Sequence, residues 1–214
     1  MIITPLSVGA FATNCYIVED NSSVTLIDAP PTESSKIVNF LKAKNLNLDL
    51  IILTHGHFDH VLNLRELKDD FPNVKIAISK ADSPYLTDGG ELIKQDISFF
   101  DSGLFYNKMM SYLPLPCPDI LLDDHDRISS FEVLSTPGHT PGSICLLNRE
   151  EKILFSGDTL FKASIGRTDL QNGNFTQIIS SLQKLKELDE DILVLPGHGP
   201  STTIGFEKKN NSYL

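Results

Sequence analysis

The stretch Thr54-His55-Gly56-His57-Phe58-Asp59-His60 decides how the rest of the chain is read. It places three histidines and an aspartate within six residues, in a chain that has six histidines in all. Chance would produce such a cluster in roughly one chain in a thousand or fewer. Directly before it lies Leu48 to Leu53, too apolar for a half-exposed strand, which reads as a strand buried on both faces. Directly after it, Val61, Leu64 and Leu67 recur at helical spacing. Histidines at i and i+2 on extended backbone project to one side, so His55 and His57 can share a metal ion. The chain then turns toward the helix, where Asp59 and His60 can face a second ion. Neutral imidazole and carboxylate are ligands suited to zinc and similar divalent ions. Gly56 lets the backbone turn tightly.

Working outward, three more apolar strands run into glycine-containing turns that present one ligand-type side chain each. Phe131 to Ser135 leads to Pro137-Gly138-His139-Thr140-Pro141-Gly142-Ser143. Ile153 to Phe155 leads to Ser156-Gly157-Asp158-Thr159, and Ile192 to Leu195 leads to Pro196-Gly197-His198-Gly199-Pro200. Singly, His139, Asp158 or His198 is an ordinary polar turn residue. Together with the histidine cluster, one explanation, a metal site held at strand ends, covers all four segments.

These segments resemble those of the metallo-β-lactamase superfamily, in the same order. Within it the chain is similar to the glyoxalase II-like hydrolases, especially the short bacterial forms. Gly157-Asp158-Thr159-Leu160-Phe161, Ile165-Gly166-Arg167-Thr168-Asp169 and the tail Glu207-Lys208-Lys209-Asn210-Asn211 carry that closer likeness. The resemblance implies a mixed α/β (α+β) chain folded as an αββα four-layer sandwich, with the site at one edge. It implies that His55, His57 and His139 bind one metal, that Asp59, His60 and His198 bind the other, and that Asp158 bridges them. Zinc is the first choice, and iron or manganese suit the same nitrogen and oxygen set.

Composition agrees with a small enzyme. The 214 residues, 41% of them hydrophobic, are enough for a sizeable core and read as one domain, 1–214, without repeats or linkers. A net charge of −10 and the lack of a Lys/Arg stripe argue against nucleic acid. No apolar run exceeds strand length and no basic leader precedes one, so neither a membrane span nor a signal peptide is read. Cys15, Cys117 and Cys145 lie far apart and odd in number, which suits a reducing compartment; the cytoplasm is the expected location.

Strands are expected at Ile2 to Val8, Cys15 to Glu19, Val24 to Asp28, Val74 to Ser79, Ile120 to Asp123 and Ile144 to Asn148, besides those above. Asn21-Ser22-Ser23 reads as a turn. A helix capped by Thr32 or Ser34 is expected to reach about Lys44, another to run from Phe175 to Leu188, and a last one to begin at Thr202 or Thr203. Strands followed by helices in both halves fit two mixed sheets packed together with helices outside. Lys80 to Pro118, rich in Phe, Tyr and Met, is an excursion with two readings: two short helices packed on the core, or a lid or wall of the substrate pocket. Cys145 reads as a core residue and His125 as part of a surface turn.

The expected chemistry is hydrolysis in which a metal-bridging hydroxide attacks a carbonyl carbon, with Asp59 taking the remaining proton. The resemblance points to small-molecule thioesters such as S-D-lactoylglutathione. Arg167 occupies the place of a basic residue that helps hold glutathione in full-length glyoxalase II; its alternative role is an ion pair with Asp169. Where that family has Glu-Tyr after the final histidine, this chain has Gly199-Pro200, and the family's basic pair has no counterpart after Asn211-Ser212-Tyr213-Leu214. Weak turnover of glutathione thioesters, or another thioester or ester substrate, is therefore expected. Asp28-Ala29-Pro30 stands where the family has Asp-Pro-Gly, and Asp28 is expected to support the ligands from behind. The competing readings are a superfamily hydrolase of lactones, sulfur compounds or phosphoesters, and a non-catalytic metal-binding protein.

Overall fold

The structure, a computed structural model, describes residues 1–21, 23–32, 35–100 and 103–214. The chain forms two compact units, Met1–Ile78 with Ser83–Leu121, and Ser79–Asp82 with Leu122–Leu214.

The first unit is built on a six-stranded sheet of order β1 to β6: β1 Ile2–Val8, β2 Thr13–Asp20, β3 Ser23–Ile27, β4 Leu50–Ile52, β5 Lys75–Ser79 and β6 Ile120–Leu122. The hairpin partners β1, β2 and β3 are antiparallel, whereas β3, β4 and β5 run parallel, so the sheet is mixed as expected. Alternation places Cys15, Ile17, Leu26, Ile51 and Ile76 in one core with helices α1 (Lys36–Ala43) and α3 (Leu64–Asp70). The opposite set, including Val18, Ile27 and Ile52, is buried too, so these strands read as continuous apolar runs.

Two helix expectations need correction. The helix after Pro31 begins at Lys36, with Ser35 in the left-handed region and no side-chain cap, so Thr32 does not start it. Ser34, the other expected cap, lies outside the described residues, as does Ser22 of the expected turn. The helix after the histidine cluster is two pieces, α2 (Phe58–Val61) and α3. It breaks because the Asn63 amide donates to the Ala29 carbonyl at 3.0 Å, not to the carbonyl one turn back.

Among the described residues the excursion holds three helices, not two: α4 Pro84–Thr87, α5 Glu91–Phe100 and α6 Leu104–Met110. Tyr85, Leu86, Ile93, Ile97 and Met109 are buried in the core of the first unit, as plain packing requires. A fully buried aliphatic side chain contributes about 1.5–3 kcal/mol, so Ile93 and Ile97 hold α5 firmly. The excursion also lines a cavity. Phe105, Met109 and Tyr112 join Phe11, Pro31 and Phe58 around a cavity of about 70 Å³.

The second unit carries a six-stranded mixed sheet of order β14-β13-β10-β9-β8-β7. Its strands are β7 Arg127–Ile128, β8 Phe131–Ser135, β9 Ile144–Asn148, β10 Ile153–Gly157, β13 Leu193–Pro196 and β14 Thr202–Thr203, with β10 and β13 parallel. A two-stranded ribbon, β11 (Leu160–Phe161) with β12 (Ser164–Ile165), follows β10. Helix α7 (Phe175–Lys186) is capped by Asn174, and α8 (Ile204–Asn210) by Thr203. Cys145, Leu147, Leu154 and Val194 pack with Leu182 and Leu185 of α7 and Ile204 of α8.

All three cysteines are free, Cys15 and Cys145 buried and Cys117 exposed. No helix among the described residues is long and apolar enough to cross a membrane.

Candidate metal centre

In the first unit β4 delivers the histidine cluster. His57 is extended and immediately precedes α2, which carries Asp59 and His60, so the expected passage from extended chain to helix is present. His55, His57 and His60 are buried, with the His55 ring 4.9 Å from that of His57 and 4.2 Å from that of His60. Asp28, just past β3, locks this loop. Its Oδ1 accepts from the Thr54 amide at 2.8 Å, and its Oδ2 lies 2.9 Å from both the Thr54 hydroxyl and His60 Nδ1. It therefore holds Thr54 and His60 from behind, where the sequence places an outer supporting acid.

The partners fix the tautomers. A carboxylate only accepts, so His60 Nδ1 donates to Asp28 and Nε2 keeps its lone pair. The Thr54 hydroxyl donates to Asp28, hence accepts from His55 Nδ1 at 3.1 Å, and His55 Nε2 keeps its lone pair. Asp59 Oδ2 accepts from the Thr13 hydroxyl at 3.1 Å and stands 3.6 Å from His60 Nε2. Gly56 is required by a close approach: a Cβ there would sit 2.2 Å from the Tyr85 ring.

In the second unit the turn after β8 presents His139, buried, whose Nδ1 donates to the Arg167 carbonyl at 2.7 Å. Asp82 holds this turn from within the same unit, accepting at 2.7 Å from both the Thr140 hydroxyl and the Gly142 amide. β10 ends in Asp158, and the turn after β13 presents His198. Asp158 Oδ2 lies 3.5 Å from His139 Nε2 and 3.4 Å from His198 Nε2. The ribbon β11–β12 returns past Asp158 so closely that a Cβ on Gly166 would lie 1.7 Å from the Asp158 carbonyl oxygen. Buried Glu207 of α8 anchors the ribbon by accepting from the Ala163 amide at 2.9 Å.

These separations test whether the residues fit metal ions. Charge-assisted hydrogen bonds would bring nitrogen and oxygen to about 2.7–2.9 Å. Ligand atoms at about 2.0–2.2 Å around a tetrahedral ion lie roughly 3.4 Å apart. The three nitrogen–carboxylate pairs, at 3.4 to 3.6 Å, have the spacing of co-ligands. For His60 and His139 the other ring nitrogen is committed to a protein acceptor, the usual arrangement of a metal-binding histidine. Within each unit the expected ligands offer nitrogen and carboxylate oxygen atoms of the kind that suits divalent ions.

The expected ion pair of Arg167 is present: its guanidinium makes a two-pronged contact with Asp169, both distances 2.7 Å. That guanidinium holds the Asp169 carboxyl down at about 2. His125 is exposed beside Asp124 and Glu132, as a surface turn residue should be. Sequence reading missed Thr13, Asp82 and the buried Asp96 of α5, whose Oδ2 lies 3.9 Å from His57 Nε2.

The sequence profile of the Metallo-beta-lactamase superfamily matches residues 8–198. The chain belongs to the metallo-β-lactamase superfamily. It is similar to the hydroxyacylglutathione hydrolase GloC of Haemophilus influenzae, 36% identical over 220 residues that span all of this chain and 98% of that protein. It is also similar to the probable metallo-hydrolase YqgX of Bacillus subtilis, 32% identical over 98% of this chain and 95% of that one. The crystal structure of TTHA1623 in a di-iron-bound form covers 99% of this chain and is itself covered completely, at 31% identity and a TM-score of 0.86. The fold is thus the metallo-β-lactamase fold, and the protein is a metallo-hydrolase of a superfamily that binds divalent metals.

Proposed function

We propose that this metallo-hydrolase cleaves thioesters of the hydroxyacylglutathione type, using two metal ions. His55, His57 and His139 would hold one ion, Asp59, His60 and His198 the other, with Asp158 shared. The observation that carries this reading is the co-ligand spacing of Asp158 with His139 and His198, repeated between Asp59 and His60. The likeness to the Haemophilus enzyme supports the substrate class. Zinc suits the ligand set; iron suits it too, as the di-iron form of TTHA1623 illustrates.

Bound divalent ions supply a water whose pKa is brought down to about 7 and a Lewis acid for the substrate carbonyl. The chain's own residues do the rest. Asp28, Thr54 and the Arg167 carbonyl fix the rings. Asp59, oriented by Thr13, takes the proton released as water adds to the carbonyl. A thiolate then leaves readily, which favours thioesters over amides. Arg167, clamped by Asp169, is the cation assigned to the substrate's carboxylates. The free cysteines support a cytoplasmic setting, and the match over 8–198 supports reading the chain as one hydrolase domain.

The test is hydrolysis of S-D-lactoylglutathione beside a thioester of the same acyl group on a non-glutathione thiol, followed at the thioester absorbance. Metal-dependent preference for the glutathione substrate is expected. Equal turnover of both would remove glutathione from the account, and activity on neither would remove thioesters.

A further inference from the structure

The cavity of about 70 Å³ in the first unit is walled by segments that also build the metal-binding loop. Phe58, in its wall, stands between His57 and Asp59 in the chain. Phe11 stands just before Thr13, whose hydroxyl donates to Asp59 at 3.1 Å. Thr32 closely follows Asp28, the acid beside His60. These wall segments thus lead directly to a ligand-type residue or its support, and α6 adds Phe105 and Met109 to the lining.

The lining decides what fits. The Phe11 ring meets those of Phe58 and Phe105 at 5.3 and 5.7 Å between centroids, so the walls are mainly aromatic. Phe11 and Lys108 are exposed and mark the mouth, whereas Phe58, Met109 and Thr32 are buried and mark the floor. An apolar cavity of about 150 Å³ takes up benzene, so about half that volume suits a linear chain of about three carbons and no ring. The floor has one polar feature. Thr32 Oγ1 is buried, with no hydrogen-bond partner among the described residues. Leaving such a group unpaired costs stability that an oxygen on an occupant would restore. A turn about the Thr32 χ1 torsion presents the hydroxyl to the cavity.

We propose that this cavity is the acyl subsite of the hydrolase. It takes a linear acyl chain of about four carbons, counting a carbonyl carbon left outside at the metal-binding loop. Thr32 meets a hydroxyl group carried on that chain. The occupant follows from the walls, since a carbonyl attacked beside Asp59 leaves its acyl chain beside Phe58. This inference rests on the thioester reading and names its acyl class.

Glutathione thioesters from acetyl to octanoyl test it in the metal-loaded enzyme. kcat/KM should rise about fourfold per added methylene up to butanoyl, and fall by octanoyl. A flat series, or one still rising at octanoyl, would overturn the proposal. Thr32→Val should lower the ratio of 3-hydroxybutanoyl to butanoyl turnover by about fivefold. An unchanged ratio in the folded variant would overturn the role of Thr32. Carbon-13 spectra of the methionine methyl groups keep the two readings apart. Butan-1-ol should shift the Met109 resonance saturably. No shift would overturn the subsite even if thioesters are cleaved, and a shift without thioester cleavage would overturn the thioester reading alone.

Discussion

Asp28 Oδ2 and His60 Nδ1 stand 2.9 Å apart, with both side chains buried. The contact settles the tautomer of His60, and the same carboxyl group reaches the Thr54 amide and hydroxyl. One acid thus holds both ends of the histidine cluster. Asp28→Ala should lower metal affinity by about 10- to 100-fold, the usual cost of losing such an outer partner. Chelator competition on the purified variant measures this directly; affinity equal to wild type would contradict the role.

The approach of Gly166 to Asp158 leaves no room for a methyl group. Gly166→Ala would press 1.7 Å from the Asp158 carbonyl oxygen. Either the ribbon or Asp158 must shift, and a displacement near 1 Å costs about 100-fold in rate. The expected result is a protein with native-like circular dichroism, reduced metal content and activity lowered by about that factor. Unchanged activity would mean the ribbon yields without moving Asp158.

The Arg167–Asp169 pair gives a pH prediction. The hydrogen bonds from the guanidinium hold the Asp169 carboxyl at about 2, below its ordinary 3.8. A carboxyl depressed in the folded state contributes stability above its ordinary value, lost as pH falls through the lowered one. Carbon-detected titration of Asp169 should therefore give a midpoint near 2, moving back toward 3.8 in Arg167→Ala. The same variant should raise KM for S-D-lactoylglutathione with kcat little changed, because the Arg167 backbone carbonyl still orients His139.

The thiols separate by burial. Desolvation pushes the Cys145 thiol up to about 11, and Cys15 higher still. Native protein should therefore react quickly with a thiol reagent at Cys117 alone and at all three cysteines after denaturation. Modification of Cys117 should leave activity intact.

Much of this could be read from the chain because strands and ligands announce themselves locally. Phe131–Ser135 and Ile144–Asn148 match their expected limits, since apolar runs bounded by turn residues leave little choice. Each ligand turn follows directly on such a run. What escaped depends on distant partners. Asp82 and Asp96 look like ordinary acids of a polar segment, and only folding brings one to Thr140 and the other to His57. The break between α2 and α3 was invisible for the same reason: the carbonyl that captures the Asn63 amide belongs to Ala29, in a different loop. The strands Leu160–Phe161 and Ser164–Ile165 are too short to show alternation. A weak signal for Asp96 did exist, an acid between Ile93 and Ile97 on the buried side of a helix.

On the function proposed above, two metal ions held by these seven residues carry out thioester hydrolysis. The most direct measurement is metal titration of chelator-stripped protein, with bound metal and S-D-lactoylglutathione hydrolysis followed together, beside Asp158→Ala as control. The expected result is no activity in stripped protein, activity that rises until two equivalents are bound, and loss of both binding and activity in the variant. Full hydrolysis by stripped protein, or an active and fully loaded Asp158→Ala variant, would contradict it.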